Sequence, residues 1–122
     1  TIALLDIDQF KAVNDTYGHL MGDRVILALS EALKACAESH NGWACRVGGD
    51  EFLIAFNGLN QDQAAQVIQT FRQEMAQLQF SEAARNYHMS ISVGIAEYKP
   101  EIQDWETWFT LADQAMYQNK QK

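Results

Sequence analysis

Residues 43–56 read WACRVGGDEFLIAF, in which two short β-type runs flank a glycine pair. Glycine pairs favour tight hairpin turns because glycine accepts a positive φ without a Cβ clash. The sequence therefore predicts a β-hairpin with strands at 43–47 and 51–56. Its turn is followed at once by Asp50 and Glu51.

Upstream of this hairpin the pattern predicts one strand and one helix. Residues 2–7 form an apolar run that ends among acidic residues, which is typical of a buried strand. From Gly22 and Asp23 onward, apolar residues recur at three- and four-residue spacing, which predicts an amphipathic helix. Asn41 and Gly42 are a stop signal for that helix.

Downstream, the pattern predicts a helix, a strand and a last helix. Asn60 and Gln63 form a capping-box pattern before an apolar stripe. Residues 89–95 alternate between apolar and small residues, as a half-buried strand does. Asp104 is placed to cap the last helix.

The predicted order is therefore strand, helix, strand, strand, helix, strand, helix. This order matches a ferredoxin-like βαββαβ core, an α+β fold in which helices pack on one face of an antiparallel sheet. The length of 122 residues fits a single domain over 1–122. Both ends look abrupt, so we expect a piece of a longer, multidomain protein.

Composition excludes several classes of function. The net charge of −7 argues against a nucleic-acid partner, since such binders usually carry a basic face. No stretch approaches the roughly 20 apolar residues that span a bilayer. Cys36 and Cys45 show neither metal-ligand nor disulfide spacing, so two reduced, mostly buried thiols in a cytoplasmic setting are expected.

Two acidic pairs lie where a cation could bind. Asp6 and Asp8 end the first strand, and Asp50 and Glu51 follow the hairpin turn. Because these strands are neighbours in a ferredoxin-like sheet, the pairs can converge, and crowded carboxylates repel unless a cation joins them. Mg²⁺ prefers such oxygens and supports phosphoryl or nucleotidyl transfer. The alternative is that these acids are merely solvated or capping.

Several blocks together closely resemble the GGDEF family of diguanylate cyclases: DIDQFK at 6–11, NDTYGH at 14–19, GD at 22–23 and RVGGDEF at 46–52. SISVGIA at 90–96 and ADQAMY at 112–117 look like its later strand and closing helix. The resemblance covers nearly the whole chain. It implies a palm-like fold related to nucleotidyl cyclases, and condensation of two GTP into cyclic di-GMP with release of pyrophosphate.

By position, the resemblance also implies a metal and catalytic set. Asp6 and Asp50 match side-chain ligands of Mg²⁺, with Mn²⁺ as an alternative ion and the Ile7 carbonyl as a further ligand. Glu51 matches the residue assigned to metal binding or to activation of the 3′-hydroxyl. Asp50 and Glu51 are therefore the expected catalytic residues.

The same resemblance implies contacts to the triphosphate. Phe10 and Lys11 match positions near the β- and γ-phosphates, and Lys120 matches a basic residue that steadies the triphosphate. The turn at Gly48 and Gly49 removes side chains where a phosphate or ribose must approach the backbone.

Asn14 and Asp23 match the pair that recognises guanine. A carboxylate can accept hydrogen bonds from guanine N1–H and the 2-amino group, whereas adenine leaves it unpaired, and sites built on such bonds discriminate strongly. A helix N-cap is the alternative role for Asp23, and both roles can hold at once.

One position pair departs from the family. Ser39 and Gly42 stand where many relatives carry an Arg-x-x-Asp site that binds the inhibitory product. Neither residue offers a guanidinium or a carboxylate. We therefore expect no high-affinity product inhibition through this surface.

The resemblance implies a catalytic homodimer, because each 3′-hydroxyl attacks the other domain's nucleotide. It also implies upstream sensory regions, and attachment of the longer protein to the inner membrane stays open. Alternatives are a non-catalytic GTP-binding regulatory or scaffolding module, a product receptor, and an adenylate- or polymerase-type palm enzyme.

Overall fold

The computed structural model describes residues 1–82 and 85–120. Its elements, in chain order, are β1 (Ile2–Ile7), α1 (Phe10–Tyr17), α2 (His19–Ser39), β2 (Gly42–Gly48), β3 (Glu51–Phe56), α3 (Gln61–Gln77), β4 (Phe80–Glu82), β5 (Arg85–Tyr87), β6 (Ile91–Ala96) and α4 (Trp105–Lys120).

One antiparallel sheet organises the chain, with the strand order β2-β3-β1-β6. β1 pairs with β3 on one side and with β6 on the other, and each of its six residues is buried. Burial on both faces explains the uninterrupted apolar run at 2–7. The elements β1, α2, β2, β3, α3 and β6 confirm the predicted ferredoxin-like βαββαβ antiparallel sheet.

Helices cover both faces of this sheet. Leu5 and Phe52 belong to the larger core, which α1, α2 and α3 cover. Leu4 packs on the opposite face with Ala112 and Met116 of α4. The predicted one-sided packing therefore holds for the helices of the βαββαβ core, and the closing helix adds a second layer.

β6 differs from its prediction as a half-buried strand. Five of its six residues are buried and Ile95 is half-buried, because α4 covers the face that carries the small residues. A Cβ at Gly94 would overlap the carbonyl oxygen of Ala112 and the backbone nitrogen of Met116. Gly94 therefore lets α4 approach the strand backbone.

Several boundaries and elements escaped the sequence pattern. α1 has eight residues and buries only Val13, so it shows no apolar stripe. The β4–β5 hairpin has three-residue strands, too short for a clear alternation. α2 begins at His19, so Asp23 lies in its second turn and the N-cap role is wrong.

The predicted capping residues are confirmed. The Asn60 side chain accepts a hydrogen bond from the Gln63 amide at 2.8 Å, and the Gln63 side chain accepts one from the Asn60 amide at 2.9 Å. Asp104 accepts from the Thr107 amide at 2.7 Å. This bond lowers the pKa of the Asp104 carboxyl.

The cysteines are less buried than expected. Cys36 is half-buried, and burial together with the Glu74 carboxylate raises the pKa of its thiol. Cys45 of β2 is exposed. Across residues 1–82 and 85–120, no helix combines the length and the hydropathy that a bilayer crossing requires.

Gly94→Ala is expected to lower the free energy of unfolding by about 2 kcal/mol, because overpacking against fixed backbone atoms cannot be relieved by side-chain rotation. Denaturant unfolding measures this change. Gly48→Ala is the matched control, since a Cβ there meets nothing within 4 Å. Equal stability of the two variants would contradict the close approach of α4 to β6.

Candidate active site

The end of β1 and the start of β3 bring two predicted carboxylates together. Asp6 lies directly opposite Glu51 in the antiparallel register, and directly paired residues project from the same face of a sheet. Both residues line a cleft of about 430 Å³ that α4 closes with Asp113 and Tyr117. Asp6 is only 7% exposed, and Glu51 is half-buried.

The glycine turn brings the Asp50 backbone to the same place. Gly49 has a φ of 49°, which favours glycine because a Cβ is strained there. Arg46 Nε donates to the Gly49 carbonyl at 2.8 Å. The Ile7 amide donates to the Asp50 carbonyl at 3.3 Å. The hairpin turn is therefore bonded to the end of β1, where Ile7 is a predicted metal ligand.

Asp8 does not join these acids, which corrects the expectation that both acidic pairs converge. Its Oδ2 accepts a hydrogen bond from Ser90 Oγ at 2.6 Å, and its Oδ1 accepts one from Ser92 Oγ. The Asp8 amide also donates to the Ser90 carbonyl at 2.8 Å. Asp8 thus fastens the end of β1 to the segment that begins β6.

The donor set suits a hard divalent cation. Asp6, Asp50 and Glu51 offer carboxylate oxygens and Ile7 offers a carbonyl oxygen, the ligand types that Mg²⁺ and Mn²⁺ prefer. Within the described ranges, no three His, Cys, Asp or Glu side chains already stand close enough to hold an ion. The ligand chemistry therefore fits such an ion.

The predicted guanine pair lies where α1 and α2 meet. A Cβ at Gly22 would overlap Asn14 Oδ1 and come within 3.2 Å of the Phe10 ring. Gly18 separates the two helices with a φ of 92°, and its amide donates to the Asn14 carbonyl at 2.9 Å. Asn14 is half-buried against Gly22, and Asp23 is the next, exposed residue of α2.

The residues predicted to contact the phosphates lie at the start of α1, at the hairpin turn and at the end of α4. Phe10 is half-buried, and Lys11 is exposed in the first turn of α1. Among residues 1–82 and 85–120, beyond the chain neighbours, no atom lies within 4 Å of a Cβ added at Gly48 or Gly49. Lys120 is the last residue of α4, and its side chain lies outside the described residues.

Sequence reasoning missed two features of this site. Asp113 lines the same cleft as Asp6 and Glu51. The sequence pattern at 105–120 indicates only a helix. Which face of the sheet this helix covers depends on the tertiary structure. The pairing of Asp8 with Ser90 and Ser92 joins residues more than 80 positions apart, which no local pattern reveals.

The family model described as "Diguanylate cyclase, GGDEF domain" matches residues 1–122. The chain belongs to the GGDEF family of diguanylate cyclases. Diguanylate cyclases of this family depend on divalent metal ions.

Curated GGDEF relatives are similar over the whole chain. Diguanylate cyclase A of Treponema denticola is 31% identical over 121 residues, which cover 99% of this chain and 32% of that protein. Diguanylate cyclase DgcZ of Escherichia coli is 32% identical over 120 residues, 98% of this chain and 40% of that protein. The chain thus spans about a third of the length of the curated relatives it matches.

Solved GGDEF domains share the fold. The active GGEEF domain of a diguanylate cyclase from Vibrio cholerae matches with a TM-score of 0.89 and 30% identity, covering 98% of this chain and 75% of that one. The GGDEF domain of DgcB from Caulobacter crescentus, in complex with c-di-GMP, matches with a TM-score of 0.91 and 31% identity, covering 98% and 71%. The predicted palm-like, cyclase-related fold is thereby confirmed.

Gly22→Ala is expected to displace the Asn14 side chain while costing no more than about 1 kcal/mol of stability, because a flexible amide can rotate away from the new methyl group. NMR spectra of the Asn14 side-chain amide and thermal unfolding measure the two effects. The same spectra of Gly48→Ala serve as the control. An unmoved Asn14 amide in Gly22→Ala would contradict the close packing of α1 on α2.

Proposed function

We propose that this GGDEF domain condenses two molecules of GTP into cyclic di-GMP and releases two molecules of pyrophosphate. The observation that carries the proposal is the pairing of Asp6 with Glu51 beside the Gly48 and Gly49 turn. It occurs in a chain that matches its family from end to end. The c-di-GMP complex of the similar DgcB domain supports the same product.

We propose Mg²⁺ as the ion of this site, with Mn²⁺ as a substitute, held by Asp6, Asp50, Glu51 and the Ile7 carbonyl. When bound, such an ion lowers the pKa of the attacking 3′-hydroxyl and offsets negative charge at the α-phosphate. Asp50 and Glu51 are the proposed catalytic residues. Glu51 accepts the proton of the 3′-hydroxyl. The 3′-oxygen then bonds to the α-phosphorus of the other GTP, and pyrophosphate leaves.

We propose that the loop after β1 binds the triphosphate. Lys11 is exposed in the first turn of α1 and supplies a cation, beside Phe10. Lys120 supplies a second cation from α4. Gly48 and Gly49 leave the turn bare, so the nucleotide can approach its backbone.

Guanine selection is assigned to Asn14 and Asp23. Asn14 of α1 packs against Gly22, the residue that directly precedes Asp23 in α2. The Asp23 side chain is exposed and therefore accessible to a base. Guanine satisfies this carboxylate with two donors, whereas adenine does not. Gly22→Ala should therefore weaken GTP binding as it displaces Asn14.

One domain holds one GTP in this proposal, so catalysis needs a homodimer in which two sites face each other. Residues 1–122 then act as a single catalytic domain of a longer, multidomain protein. Sensory regions of that protein would control dimerisation. Because GTP is a cytosolic nucleotide, we place the domain in the cytoplasm. The longer protein could still be attached to the inner membrane through other regions.

Asp50→Ala with Glu51→Ala is expected to reduce the synthesis of cyclic di-GMP by the full-length protein at least about a hundredfold, because the variant loses two of three carboxylates at the metal site. Incubation with GTP and Mg²⁺, followed by chromatography of the products, measures the rate. Asp62→Asn, an exposed residue in the first turn of α3, is the control.

The two results separate two claims. If the wild-type protein binds GTP but makes no product under dimerising conditions, the cyclase proposal is wrong and the domain is a non-catalytic GTP-binding module. Undiminished product from the double variant would contradict the metal and catalytic assignment of Asp50 and Glu51.

Cyclic di-GMP is expected not to inhibit this enzyme with high affinity through the surface at Ser39 and Gly42. Ser39 Oγ donates to the Ala35 carbonyl at 2.9 Å, and a Cβ at Gly42 would overlap the Ala55 carbonyl oxygen. Position 42 therefore cannot carry an aspartate unless β2 and β3 move. Titration of product against initial rate tests this, and sub-micromolar inhibition mapped to this surface would contradict it.

A further inference from the structure

Asp8 stands between the two halves of the proposed site. Ile7 on its N-terminal side belongs to the proposed metal ligands, and Phe10 and Lys11 on its C-terminal side belong to the proposed phosphate contacts. Consecutive Cα atoms are only about 3.8 Å apart, so the position of Asp8 constrains both groups.

The contacts of Asp8 are unusually complete for a loop residue. Both carboxylate oxygens accept hydroxyl hydrogen bonds, one from Ser90 and one from Ser92, and the amide donates to the Ser90 carbonyl. Hydrogen bonds to an ionised acceptor are stronger than neutral ones. Three hydrogen bonds therefore anchor Asp8 to Ser92 of β6 and to Ser90, which directly precedes that strand. Each serine hydroxyl donates its one proton to Asp8.

The backbone beside Asp8 needs such an anchor. Gln9 adopts a φ of 54°, in the left-handed region that favours glycine, and its side chain makes no capping bond to α1. A non-glycine residue keeps this conformation only where its surroundings impose it. On the other side, the Ile7 amide donates to the Asp50 carbonyl at 3.3 Å, next to the Asp6–Glu51 pair with which the β1–β3 ladder ends.

We propose that Asp8 is a positioning residue: its bonds to Ser90 and Ser92 hold the Ile7 carbonyl and the Phe10–Lys11 turn where the metal-bound triphosphate requires them. The inference rests on the proposed function. It gives Asp8, Ser90 and Ser92 one shared role outside the ligand set.

Asp8→Asn in the full-length protein tests the proposal, because an asparagine keeps the shape but loses the charge and one acceptor. The probe is a GTP analogue with a methylene group between the α- and β-phosphorus atoms, titrated by calorimetry at several Mg²⁺ concentrations. We expect about a tenfold loss of Mg²⁺-dependent affinity, similar to the loss that follows mutation of residues that orient metal ligands in other proteins. Higher Mg²⁺ should restore binding, which a general loss of stability would not allow.

Ser90→Ala with Ser92→Ala should reproduce this loss, and combining it with Asp8→Asn should add little, because the three residues act as one unit. Asp62→Asn should bind as wild type does. If Asp8→Asn fails to fold, the serine variants carry the test.

Three outcomes would overturn the inference. Unchanged Mg²⁺-dependent affinity in Asp8→Asn and in the serine variant would show that the anchor does not position the site. Additive losses would show that Asp8 and the serines act separately. If wild-type protein itself does not bind the analogue, the proposed function fails and the inference fails with it.

Discussion

The rest of the structure depends on the burial of β1. This strand lies inside the sheet between β3 and β6, is covered on both faces by helices, and ends in Asp6 and Ile7, directly before Asp8. A buried carboxylate such as Asp6 is costly unless a cation, a hydrogen bond or a charge partner compensates it. The strand thus brings Asp6 to one end of the sheet, beside Glu51 and the hairpin turn.

Each neighbouring element contributes to the site through its packing on β1. β3 supplies Glu51 by register, and the Asp50 carbonyl closes the hairpin turn against Ile7. Ser92 of β6 and Ser90, which directly precedes this strand, donate to Asp8. These contacts hold the end of β1, whereas the turn between β2 and β3 consists of Gly49 and Asp50. The proposed site thus lies beside a strand end that its neighbours hold in place.

Close packing at two glycines sets the positions of the helices. At Gly94 the new atom would meet backbone, so α4 and β6 are fixed relative to each other. At Gly22 it would meet the end of a side chain, so the consequence is the displacement of Asn14. A glycine-to-alanine change therefore affects the packing of α4 on β6 at Gly94, and the proposed guanine contact at Gly22.

The sequence by itself determined the strands β1, β2, β3 and β6, the helices α2 to α4 and the capping residues at Asn60 and Asp104, because periodicity and capping act over a few neighbouring residues. It also indicated Asp6, Asp50 and Glu51 as candidate metal ligands, because the stretches at 6–11 and 46–52 resemble the GGDEF family. Only the tertiary structure decided that α4 covers the second face, that Asp113 enters the cleft and that Asp8 turns to Ser90 and Ser92. These depend on contacts between distant segments, whose geometry no local pattern contains.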